Sequence, residues 1–202
     1  MLLEDPGIII QNQKILEMLE AVGVHADFKT SLVKIPSDIT QKALDNCPHH
    51  FSLFNRNGNE VIKLGTEESY YAPGSSALTV LDRETQKIRP GTTPDLVSFV
   101  QVTEVLKALD AQSTAIVPSD IPAEIADYYR LFVVLTYSSK PVITGAFQKN
   151  TWQTMYDLLL ADSGGKKELL KKPRAIFDVC PKSPLMWGEI TSQNLLDCSQ
   201  AG

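Results

Sequence analysis

Apolar positions recur along this chain with two different periods, and the change of rhythm divides it. Ile15, Met18, Leu19 and Val22 stand at i, i+3, i+4 and i+7, which predicts an amphipathic helix, stopped by Gly23. Residues 32–35 predict a short strand. Pro36-Ser37-Asp38 opens a second helix, with Ile39, Ala43 and Cys47 on one face, that ends near Pro48. Two apolar runs, residues 51–54 and 61–64, flank Asn55-Arg56-Asn57-Gly58-Asn59, and Asn-Gly between such runs predicts a hairpin. Residues 70–80 read as strand, glycine turn and strand, 83–86 as a polar turn, and 87–89 as a further short strand.

From Pro94 onward strand and helix alternate. Thr93-Pro94-Asp95 opens a helix with a capping threonine, proline at the first helical position and an acid at the positive end of the dipole. Leu96, Phe99, Val100, Leu106 and Leu109 mark its core face. Strands are expected at 113–117, 142–145 and 175–179. Helices are expected from Ile121 to about Tyr137, from Thr151 to about Ala161, at 166–171 and at 190–199. This alternation predicts a parallel sheet with right-handed crossovers. No Gly-x-Gly-x-x-Gly and no phosphate loop follows any strand, which argues against a nucleotide-binding doubly wound fold. The expected class is α/β: residues 1–68 form a small α+β cap, and residues 69–202 the first half of a (β/α)8 TIM barrel. Only four parallel strands are expected, near Tyr71, Ser113, Val142 and Ala175, whereas a closed barrel takes about 250 residues. Four units would leave an open sheet edge, so the chain reads as a piece of a larger fold or as one completed by a partner.

Composition narrows the function classes. The chain has 202 residues, 43% hydrophobic and 21% charged, which is enough for a sizeable core. Its net charge is −5, with no basic cluster interleaved with aromatics, so no nucleic-acid surface is expected. Lys166, Lys167, Lys171, Lys172 and Arg174 read as the solvated face of a short helix. The cysteines, Cys47, Cys180 and Cys198, are odd in number and widely spaced, which fits a reducing cytoplasm rather than a disulfide framework or zinc site. No signal peptide or membrane span is visible, and the adjacent His49 and His50 read as a surface turn rather than metal ligands.

A series of short motifs carries a resemblance. They are Glu4-Asp5-Pro6, Leu16-Glu17-Met18-Leu19-Glu20-Ala21-Val22-Gly23-Val24, Val33-Lys34-Ile35-Pro36, Tyr71-Ala72-Pro73-Gly74 and Val80-Leu81-Asp82. Arg89-Pro90-Gly91-Thr92, Pro118-Ser119-Asp120-Ile121-Pro122, Ser139-Lys140-Pro141 and Pro181-Lys182-Ser183-Pro184-Leu185 continue the series. In this order and spacing the chain resembles the trimethylamine methyltransferase family. That resemblance implies a (β/α)8 barrel with an added N-terminal region in a protein more than twice this long, some members carrying pyrrolysine in the second half. It also implies methyl transfer from a methylated or quaternary amine, such as trimethylamine or glycine betaine, to cobalamin carried on a separate corrinoid protein. No cofactor would be bound directly.

At the C-terminal ends of barrel strands, the loops 73–76, 118–121, 145–148 and 181–187 would form the working face. A quaternary ammonium has no N–H to donate, so aromatic faces and carboxylates must hold it, at about 0.5–2 kcal/mol per ring. The substrate-binding candidates are Tyr71, Gly74, Ser75, Asp120, Phe147 and Trp187. Tyr71 also suits a position inside a barrel, and Asp120 also suits a cap for the helix starting at Ile121. No residues are assigned a catalytic role and no metal site is expected. His25, His49 and His50 are read as structural. The second reading is a shortened, inactive chain that acts as an assembly or interaction module through its open sheet edge, and a homo-oligomer is expected.

Overall fold

The computed structural model describes residues 2–202. In chain order its first elements are β1 (Ile8–Ile10), α1 (Gln13–Ala21), β2 (His25–Asp27), β3 (Leu32–Lys34), α2 (Ser37–Asn46), β4 (Phe51–Phe54) and β5 (Glu60–Leu64). Then come β6 (Thr79–Leu81), β7 (Ile88–Pro90), α3 (Thr93–Val105), β8 (Gln112–Ser113), α4 (Ala126–Tyr137) and β9 (Val142–Thr144). The chain closes with α5 (Trp152–Ser163), α6 (Lys166–Lys171), β10 (Ala175–Phe177), β11 (Met186–Trp187) and α7 (Glu189–Ala201). Two compact units form, one from the residues through His49 together with Val179–Gly202, the other from His50–Asp178.

In the first unit a four-stranded sheet has the order β11-β1-β3-β2. β11 runs parallel to β1, with Met186 opposite Ile9 and Trp187 opposite Ile10, while β3 is antiparallel to both β1 and β2. Alternation sends Ile8, Ile10, Ala26 and Val33 inward, where they meet Leu16 and Val24. Asn12 caps α1 by accepting from the Ile15 amide at 3.2 Å. Gly23, at φ +88°, takes the left-handed turn that ends it. The core face of α1 is offset from the predicted one. Leu16 is the buried residue, and Met18 and Val22 are exposed, because the sheet covers only one side of this short helix.

In the second unit β10, β9 and β8 form a parallel sheet in that order, with Ile143 between Ser113 and Ile176. α4 connects β8 to β9, and α5 with α6 connects β9 to β10. Leu96, Val100, Leu131, Val134, Val142 and Met155 form the core between sheet and helices. The predicted hairpin is present as antiparallel β4–β5. A second hairpin, β6–β7, pairs Leu81 with Ile88.

The strand expected at Tyr71 is not a regular one. Residues 71–77 run beside 110–117 with irregular bonds: the Asp110 amide donates to the Tyr71 carbonyl at 2.8 Å, and Ser113 Oγ donates to the Gly74 carbonyl at 2.8 Å. Regular pairing shrinks to one parallel bridge between Ala77 and Ile116. Pro73 has no amide proton and Gly74 has little strand preference, so the ladder is interrupted where the turn was foreseen. The described residues thus form a mixed α/β structure of several small sheets, without a closed barrel.

Candidate functional site

Parallel strands place their variable loops at their C-terminal ends, and in the second unit those ends carry a dense polar arrangement. Just beyond β8 the hydroxyl of Thr114 meets that of Thr144, at the end of β9, at 3.2 Å, and both side chains are buried. After β9 the chain turns at Gly145. A Cβ built there would lie 2.6 Å from Phe147 Cζ and 3.1 Å from both the carbonyl oxygen and the carboxylate Oδ1 of Asp178. An aromatic ring and a carboxylate therefore crowd over one glycine Cα, and only glycine leaves them room.

The loop after β9 is pinned from α4. Asp127, in the first turn of that helix, accepts from the Phe147 amide at 2.7 Å, the Gln148 amide at 2.8 Å and Thr151 Oγ1 at 3.0 Å. Its other oxygen receives Arg130 Nη2 at 3.0 Å. Arg130 in turn donates to the carbonyls of Thr114 and Ala126, and its guanidinium lies 5.9 Å from the Phe147 ring centroid. Both charged residues are only 2% exposed, so the pair is shielded from water.

Of the residues expected to touch substrate, Phe147 lies in this arrangement and is 38% exposed. Tyr71 is largely exposed, with its amide donating to Asp110 Oδ2 at 2.8 Å. Gly74 and Ser75 lie in the exposed loop next to it. Asp120 accepts from the amide and hydroxyl of Thr93, at 2.9 and 3.2 Å, and so satisfies an open N–H at the start of α3 rather than in the helix that follows Ile121. Trp187 is in β11 of the first unit, half-buried against the core of Ile8, Ile10 and Val33. The sequence reading missed Asp127, Arg130 and Asp178. The first two carried a signal, since they are the charged residues of an otherwise apolar helix, three positions apart. Among the described residues no cluster of histidine, cysteine and carboxylate side chains is arranged to hold a metal ion. No helix is long and apolar enough to cross a membrane.

Several of the short motifs serve the frame. Arg89 reaches Asp82 at 2.9 Å and clasps Asp95 with both terminal nitrogens, at 2.7 and 2.9 Å. Asp95 also accepts from the Thr92 amide, so the cap of α3 is Thr92, one residue before the expected Thr93. Gly91 packs where a Cβ would lie 2.6 Å from Ile116 Cγ2. Lys140 donates to the carbonyls of Thr103, Leu106 and Leu109, closing the C-terminal end of α3.

The sequence profile of the Trimethylamine methyltransferase (MTTB) family matches residues 1–202. The chain is 26% identical over 200 residues to Trimethylamine methyltransferase MttB of Desulfitobacterium hafniense (strain DSM 10664 / DCB-2), covering 99% of this chain and 40% of that protein. It is 22% identical over 202 residues to Glycine betaine methyltransferase of Desulfitobacterium hafniense (strain Y51), covering 100% and 42%. To Trimethylamine methyltransferase MttB of Methanosarcina thermophila it is 23% identical over 188 residues, covering 91% and 39%. The chain thus spans about two-fifths of the length of these curated relatives. With the profile matched from one end of the sequence to the other, the chain belongs to the trimethylamine methyltransferase family.

Proposed function

We propose that this chain contributes the first strands of a (β/α)8 barrel and that their C-terminal mouth takes part in methyl transfer from a methylated amine to a corrinoid protein. In this reading residues 1–68 are a cap and 69–202 are barrel. Sequential order supports it: residues 71–77, β8, β9 and β10 lie side by side in chain order, with parallel pairing. The single observation that carries the reaction class is the family membership over the whole chain.

The residues at the mouth suit a cation that cannot donate a hydrogen bond. The ring of Phe147 offers an electron-rich face, and the carboxylate of Asp178, beside it over Gly145, offers charge. Tyr71, Gly74, Ser75 and Asp120 belong to other loops of the same unit and are kept as candidates. The role of the chain is to orient the ammonium and exclude water from it, leaving one methyl directed outward. A reduced corrinoid on the partner supplies the cobalt nucleophile. The methyl carbon passes to cobalt, and the electron pair of the broken C–N bond stays with the departing amine. The odd number of cysteines favours the cytoplasm.

The test is direct. The protein is mixed with a reduced corrinoid protein and, in turn, trimethylamine, glycine betaine and other quaternary amines, while the corrinoid absorbance is followed. Appearance of the methylated corrinoid with one amine supports the proposal. No change with any of them, either from this chain or from one extended by the second half of the barrel, under conditions where a known relative reacts, would overturn it.

A further inference from the structure

We infer that Asp127 is a positioning residue that tunes Phe147 for a cationic ligand by neutralising Arg130 beneath it. The inference rests on the proposed binding of a methylated ammonium at the C-terminal mouth of β8 and β9.

The ion pair needs a reason beyond stability. Well-packed apolar residues commonly match or exceed a buried pair in stability, and α4 already buries Leu131, Val133, Val134 and Leu135 around this one. What the pair provides is placement. Asp127 grips the loop after β9 at the Phe147 amide, the Gln148 amide and the Thr151 hydroxyl, and Arg130 grips the end of β8 through the Thr114 carbonyl. Each strand end is tied to the other through two side chains that are 2% exposed.

Placement brings a problem. The Arg130 guanidinium lies 5.9 Å from the Phe147 centroid and already uses part of the attraction of that ring for positive charge. An unpaired guanidinium there would also repel a second cation approaching the exposed part of the ring. The Asp127 carboxylate, 3.0 Å from Arg130 Nη2, cancels that repulsion and leaves the ring usable. The charge state of the pair therefore governs discrimination between a cation and an uncharged molecule of the same shape.

Charge discrimination is the readout, because damage to packing alone would not move it. Choline and its carbon isostere, in which a quaternary carbon replaces the nitrogen, are titrated separately into the protein, and binding is followed by the amide shifts of Gly145 and Phe147. The wild type is expected to prefer choline. Asp127→Asn, which keeps an acceptor for the loop amides but leaves Arg130 unpaired, should weaken choline by about tenfold and the isostere by less than about twofold. Arg130→Gln should move the ratio of the two affinities the other way, in favour of choline, which keeps the test open if the first variant does not fold. Parallel loss of both ligands in Asp127→Asn, or an unchanged ratio in both variants, would overturn the inference while leaving the mouth as the binding site. Failure of the wild type to bind either ligand would overturn the proposed site and the inference together.

Discussion

Arg89 and Asp95 form a two-pronged ion pair, Nη1 to Oδ2 at 2.7 Å and Nη2 to Oδ1 at 2.9 Å, that joins the β6–β7 hairpin to the first turn of α3. The same guanidinium reaches Asp82 through Nε at 2.9 Å. One planar fork thereby fixes two carboxylates, a geometry that lysine could not reproduce.

The pair makes acid stability depend on one arginine. Backbone N–H donation from Thr85 comes first, then the hydrogen bond from Arg89, and together they hold Asp82 down at about 2, from an ordinary 3.8. Asp95 is lowered as well, chiefly by Arg89. Both are acids whose folded values lie below their unfolded ones. The stabilisation from Asp82 is present above pH 3.8 and is lost as the pH falls through about 2, and that from Asp95 is lost in the same direction at still lower pH. The melting temperature should hold steady from pH 6 to about 4 and then drop towards pH 2. Arg89→Gln should lower the plateau and flatten the drop, and thermal melts across this range check both. A drop of the same size in the variant would show that other carboxylates set the acid limit.

Gly145 should tolerate no side chain. The Cβ of alanine would lie 2.6 Å from Phe147 Cζ and 3.1 Å from the Asp178 backbone carbonyl, and the carbonyl cannot swing aside as a flexible side chain could. Gly145→Ala is expected to cost about 1–3 kcal/mol, typical of overpacking, and to displace the Phe147 ring. Denaturant unfolding measures the first effect, and loss of choline-induced shifts at the Phe147 amide measures the second. Unaltered ligand shifts would mean that the ring pose does not matter for binding.

How far the sequence revealed this site depends on what kind of signal each residue left. Helices and the Asn-Gly hairpin were legible because local period and turn chemistry specify them, and α5 to α7 fall close to their expected spans, whereas α3 ends at Val105, leaving Leu106 exposed, and α4 begins at Ala126 rather than Ile121. Phe147 was legible as the aromatic just past an apolar strand. Asp178 holds an equivalent place after β10, but a carboxylate after a strand is too common to stand out, and its partnership with Phe147 depends on the parallel register of β9 and β10. Trp187 is expected in the loop 181–187 that follows the fourth strand, yet Met186 and Trp187 pair with Ile9 and Ile10, 177 positions earlier in the chain. Long-range pairing of a two-residue strand leaves no periodicity to detect. Ser139-Lys140-Pro141 was visible as a motif, but not that it serves the far end of another helix.

That last motif yields a stability prediction. Lys140 Nζ donates to the carbonyls of Thr103, Leu106 and Leu109 at 2.7–2.8 Å, while Glu104 takes hydrogen bonds from Ser138 and Ser139. Burial works to raise the Glu104 carboxyl, but the two serines outweigh it, and the group sits below its ordinary value. Lys140→Met keeps the aliphatic stem and removes all three donations. It should destabilise the fold by about 1.5–3 kcal/mol, lowering the denaturant midpoint with no change in slope. A loss below about half a kcal/mol would mean that water replaces the ammonium at these carbonyls.

Asp162 should be the most sensitive surface-to-core position. Arg56 donates to its Oδ1 through Nε at 2.9 Å and Nη2 at 2.7 Å, and Arg174 pairs with its Oδ2. Arg174 is nearly fully buried, and burial followed by the like charge of Arg56 pushes its guanidinium down to about 10. Two cations thus depend on one carboxylate. Asp162→Asn leaves Arg174 buried without its counter-charge and should cost about 3–5 kcal/mol, as breaking a buried pair does. Arg174→Met combined with Asp162→Asn removes the stranded charge, and recovery of most of the loss is expected. A double-mutant cycle on unfolding free energies reads the coupling directly. Additive losses would show that Arg174 stabilises by packing its stem and through its Ser139 carbonyl contact, rather than through the charge of Asp162.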